Sequence, residues 1–90
     1  MSHDAARNLV QMANQIGQFY EAFPDRGEGL AGIASHIRRS WDPRMRWALL
    51  RYIDEHGGEG LRPAVREAIE LKRKELTPDP IQATYLIPNR

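Results

Sequence analysis

The sequence predicts an all-α protein: a small bundle of three to four helices with an extended C-terminal tail. Three observations predict it. Apolar residues recur at three- and four-residue intervals in successive segments. Proline, glycine and aspartate stand where those segments begin and end. The length of 90 residues supplies one domain and no more. The helical domain is expected over 1–76 and the tail over 77–90.

The first helix is expected from about Ala5 to Phe23, with Asp4 as its N-cap. Its stripe is Leu9, Met12, Ala13, Ile16, Phe19, Tyr20 and Phe23, and Pro24 ends it. The second is expected over Arg26 to Ser40. Asp25 can cap it, with Glu28 three residues later as in a capping box. Leu30, Ile33, Ala34, Ile37 and Trp41 make its stripe, and the mid-helix Gly32 calls for a packing reason. The third has the clearest start, Asp42 as N-cap and Pro43 at the first helical position. Met45, Ala48, Leu49, Tyr52 and Ile53 face inward, and Gly57 or Gly58 can take the left-handed conformation that closes the helix. The fourth opens near Arg62-Pro63 and runs to about Leu76, with Lys72-Arg73-Lys74 in its last turns. Pro78, Pro80 and Pro88 then forbid further helix.

Composition narrows the function. With no cysteine, the chain has no disulfide, thiolate zinc site or Fe–S ligand set. Thirteen basic against twelve acidic residues are too balanced to indicate nucleic acid by global charge. The N-terminus lacks the order of a signal peptide, and no apolar run reaches the roughly 18–20 residues that span a bilayer. A cytoplasmic location is expected.

No active site emerges. His3, His36 and His56 do not pair at the spacing of a helical metal site. Gly57-Gly58-Glu59-Gly60 follows no strand and matches neither phosphate-loop spacing, so it reads as a turn. Catalytic, cofactor-binding and metal-ligating residues are all expected to be none.

Three features point to a protein partner instead. Gln11, Asn14, Gln15 and Gln18 oppose the first helix's stripe, and no charged residue occurs from Asn8 to Tyr20. Charges are depleted in interface cores, and amides both donate and accept. Trp47 is expected to point away from the core, between Arg44 and Arg51, either as a hot-spot composition or packed on the C-terminal tail. Tyr85-Leu86-Ile87 is apolar and lies outside the bundle; it can meet a partner or fold back on its own domain. Trp41, Arg44 and Arg46 complete the expected interface, although Trp41 also continues a core stripe. Arg38, Arg39, Arg44, Arg46 and Arg51 cluster around the second and third helices, and a nucleic-acid module is the weakest reading of them.

These stretches also resemble a family. Leu9-Val10-Gln11-Met12-Ala13-Asn14-Gln15-Ile16-Gly17, followed by Phe19-Tyr20-Glu21-Ala22-Phe23-Pro24, looks like the N-terminal motif of the delta subunit of NAD-dependent formate dehydrogenases. Gly32 to Arg39 with Trp41-Asp42-Pro43-Arg44-Met45-Arg46 looks like its central motif, and Gly57-Gly58-Glu59-Gly60-Leu61 with Pro63-Ala64-Val65 looks like its third. The resemblance implies a non-catalytic accessory subunit, a partner in the large molybdenum-bearing catalytic subunit, and a role in assembly, stability or cofactor maturation. In such a complex the molybdenum or tungsten pterin dinucleotide, the Fe–S clusters, FMN and NAD belong to the larger subunits. A transient maturation chaperone, whose arginines meet the anionic pterin dinucleotide, is the alternative.

Overall fold

A computed structural model describes residues 3–79. Five helices follow in order: α1 (His3–Glu21), α2 (Arg26–Ser40), α3 (Pro43–His56), α4 (Pro63–Leu71) and α5 (Arg73–Leu76). Among the described residues there is no strand, so the all-α expectation holds.

The helix boundaries follow from local chemistry. Asp25 and Asp42 sit in extended backbone, and their Oδ1 atoms accept from the N–H groups of Glu28 and Met45, each at 2.9 Å. Each thereby satisfies one of the orphan donors of a first turn. Pro43 and Pro63 occupy first-turn positions where no N–H is needed. Gly57 ends α3 with φ 69°, a left-handed conformation, and its N–H donates to the Ile53 carbonyl.

The core is built on α2, which packs against α1, α4 and α5. Ile33, Ile37, Val65, Ile69 and Leu76 have almost no exposed surface. The α2 stripe of Leu30, Ile33, Ala34, Ile37 and Trp41 is buried throughout, as is Leu49 of α3. The helices approach closely where glycine allows it. A Cβ on Gly17 would meet Val65 of α4, and one on Gly32 would overlap the Tyr20 ring. That ring is the packing reason that a glycine inside α2 called for.

Four expectations need correction. The first helix begins at His3, so Asp4 lies inside its first turn and not at the cap; it ends at Glu21, two residues before Phe23. Met12 is 41% exposed and Phe19 is 64% exposed, so neither belongs to the buried stripe. The expected fourth helix breaks at Lys72 (φ −115°, ψ 24°), leaving a one-turn α5. Arg46, expected at a partner surface, is only 4% exposed, whereas Trp41, 5% exposed, continues the core stripe of α2 as its spacing also allowed. The tail beyond residue 79, Tyr85 included, lies outside the described residues; residues 77–79 are not helical.

Candidate protein interface

Helix α1 presents three surfaces, each set by its position on the wheel. The buried face is Ala6, Leu9, Val10, Ala13 and Gly17. With about 100° per residue, Met12 and Phe19 fall about 100–120° from Ala13. They therefore sit at the edge of an apolar arc that is wider than the core it packs against. The third surface is Gln11, Gln15 and Gln18, all exposed.

The surplus apolar arc forms one wall of an open hollow of about 740 Å³. Met12, Ile16, Phe19 and Tyr20 of α1 face Trp41 and Met45 at the α2–α3 junction, and Gln15, His36 and Ser40 supply the polar groups. Phe19, Tyr20 and Phe23 pack as a cluster, with centroids 4.9 Å (Phe19–Tyr20), 5.9 Å (Phe19–Phe23) and 5.1 Å (Tyr20–Phe23) apart. The His36 ring lies 6.3 Å from Tyr20, edge on. An exposed phenylalanine is common alone but informative inside a concave apolar patch. Sequence reasoning placed Met12 and Phe19 in the core and so missed this groove. The signal was present in the width of the apolar arc.

Of the amides expected at a partner surface, Asn14 has a different task. Its Nδ2 donates to the Gly60 carbonyl, and its Oδ1 accepts from the Arg62 N–H, both at 2.9 Å. It thereby fastens the loop between α3 and α4, in which Gly57, Gly58 and Gly60 all have positive φ. Tyr52 also donates its hydroxyl to the Glu59 carbonyl. Arg62 forms a two-pronged pair with Glu21, Nε to Oε2 at 2.8 Å and Nη2 to Oε1 at 2.7 Å. The Arg62 hydrogen bond lowers the Glu21 pKa and the same bond raises that of Arg62. The glycine-rich segment is thus a pinned turn.

The expected arginine site divides. Arg46 lies inside the chain, where its Nη1 donates to the Leu76 carbonyl at 3.3 Å and its Nε finds no acceptor among the described residues. Desolvation, with the charge of Arg38 nearby, holds its pKa below the usual arginine value against the pull of Asp42 and Asp79. Arg51 covers the half-buried Trp47 ring at 5.0 Å and pairs with Glu55 at 3.0 Å. Arg38, Arg39 and Arg44 are exposed; Arg39 donates to the Ser35 hydroxyl at 3.2 Å. Among the described residues, none of these three is within 4.0 Å of a carboxylate.

Among the described residues no three His, Asp or Glu side chains gather as a cation site, and no helix is long and apolar enough to cross a membrane. No curated protein and no solved structure matches the chain. One family model does, over residues 8–69, and it is described as the NADH-dependent formate dehydrogenase delta subunit FdsD. The match spans more than half of the chain and contains both α1's groove wall and the pinned turn. The chain therefore belongs to the family of the NADH-dependent formate dehydrogenase delta subunit.

Proposed function

We propose that this chain is a non-catalytic accessory subunit that binds the large molybdenum-bearing subunit of a formate dehydrogenase and supports its assembly, stability or cofactor maturation. Family membership supplies the complex. The observation that carries the binding reading is the groove with Met12 and Phe19 exposed beside an uncharged amide face. Solvated helix faces carry lysine and glutamate, whereas interface cores are depleted of them. Gln11, Gln15, Gln18 and the groove form one contact, and Arg44, Trp47 and Arg51 of α3 form a second. Pterin dinucleotide, Fe–S clusters, FMN and NAD reside on the larger subunits, and the complex works in the cytoplasm.

The exposed Arg38, Arg39 and Arg44, free of carboxylate partners among the described residues, favour the second reading. A chaperone that delivers or guards an anionic pterin dinucleotide would use such cations. Stoichiometry separates the two. The chain is tagged at its N-terminus and purified from its own host, and the bound proteins are identified by mass spectrometry. A fixed ratio to cofactor-loaded formate dehydrogenase that survives size exclusion supports the subunit. Association only with cofactor-free precursor supports the chaperone, and absence of the enzyme removes both.

A further inference from the structure

We infer that α5 and residues 77–79 form a strap that opens from the bundle as one unit, and that the buried Arg46 guanidinium makes this opening easier. The strap begins after Lys72, whose backbone (φ −115°, ψ 24°) breaks the helix and leaves α5 one turn long. A single turn has no stability of its own, so contacts with the bundle hold it. Leu76 and Pro78 are buried while Thr77 and Asp79 are exposed, as the chain passes from helix to extended backbone at Thr77. The polar contacts run along α3, where Arg46, Leu50 and Asp54 follow at four-residue spacing on one face. Asp54 pairs with Arg73 at 2.7 Å, and Arg46 donates to the Leu76 carbonyl. Both side chains of the Asp54–Arg73 pair are exposed, so that pair holds the strap only weakly.

Arg46 works against the closed strap. It is 4% exposed, its bond to Leu76 is 3.3 Å long, and its Nε is unmet among the described residues. A guanidinium carries five N–H donors, and burying a charge with donors unmet costs free energy that hydration recovers. Asp42 and Asp79 favour the cation, yet desolvation and the charge of Arg38 outweigh them and hold its pKa below the ordinary arginine value. The charged form is therefore less favoured in the closed chain than in water. Opening hydrates the guanidinium and so offsets part of the burial that Leu76 and Pro78 give up. Apolar anchors close the strap, and an under-bonded cation loosens it. The capped starts of α2 and α3 lie outside the strap and are left intact. The strap also lies wholly beyond residues 8–69, which carry the family match.

Amide hydrogen exchange on the full chain, followed by NMR in low concentrations of urea, tests both halves. The amides of Glu75, Leu76 and Thr77 are hydrogen-bonded within the strap. They should share one protection factor, about tenfold or more below those of Ile33, Ile37 and Val65, and one small urea slope, the signature of a local cooperative opening. Protection that falls step by step from Glu75 to Thr77 with no urea slope means end fraying and overturns the strap. A slope and protection equal to those of the core overturn it as well. Arg46→Met removes the charge at similar length and should raise the shared protection about tenfold, whereas Arg46→Lys, which keeps a cation there, should not. Unchanged or lower protection in a folded Arg46→Met chain overturns the role of Arg46. Circular dichroism checks folding, and if Arg46→Met does not fold, the same role is overturned, because a chain relieved of a costly charge must fold at least as well as the parent.

Discussion

Tyr20 shows how single residues decide this structure. Its carbonyl oxygen would lie 2.7 Å from a Cβ on Gly29, and its ring occupies the place of a Cβ on Gly32. Glycine inside α2 weakens the helix by about 0.5–1 kcal/mol relative to alanine, so Gly32→Ala would stabilise a free helix. Here the added methyl must push the Tyr20 ring aside, and overpacking of this kind costs about 1–3 kcal/mol. The expected net result is destabilisation, read as a lower urea midpoint. A midpoint equal to or above that of the parent chain would contradict the ring's placement. Glu21 supplies the pH dependence. Its hydrogen bond to Arg62 lowers its pKa below the ordinary carboxylate value. It therefore contributes stability above its unfolded pKa, and that contribution is lost as pH falls through the lowered folded value. Arg62 is raised, so its counterpart is lost only at strongly alkaline pH. A Glu21→Gln chain should melt lower at neutral pH and lose less on acidification than the parent. Parallel melting curves from pH 7 to pH 3 would show that the pair contributes nothing.

At the scale of elements, the chain states its helix ends plainly and its faces less so. Asp25, Asp42, Pro43 and Gly57 have the local roles that their residue types suggest, because capping depends on neighbours within four residues. The break at Lys72 was not legible, since no glycine or proline marks it. It belongs to tertiary packing: Leu76 is buried, and its carbonyl accepts from Arg46 of α3. Packing of this kind overrides local propensity. Arg46 was unreadable for the same reason, because an acceptor thirty residues away is invisible to a wheel. The inward face of α3 was legible through its spacing. Leu49, 2% exposed, should on truncation to alanine cost about 2–5 kcal/mol, as a buried leucine does. Chemical denaturation measures it, and a loss under about 1 kcal/mol would mean that the site collapses around the missing atoms.

On the scale of the whole molecule, residues that hold the fold and residues that hold a partner should separate, and two substitutions test whether they do. Phe19 is 64% exposed, and its ring packs edge-on against Tyr20 and Phe23. Phe19→Ser therefore forfeits little more than an aromatic pairing and should change stability by about 1 kcal/mol or less. Gln15 is exposed and lines the same groove, so Gln15→Lys leaves the free chain's unfolding curve unchanged. Once a partner closes the groove, the effects become large. A lysine must then be desolvated without a counter-charge, and a missing phenylalanine leaves an anchor site unfilled. Both variants should unfold like the parent chain yet fail to retain formate dehydrogenase through size exclusion. Leu49→Ala should do the reverse: less stable, but still retaining the enzyme at temperatures where it remains folded. If Phe19→Ser and Gln15→Lys retain the enzyme as well as the parent does, the contact lies elsewhere on the chain. The surplus apolar arc of α1 would then have no role in binding.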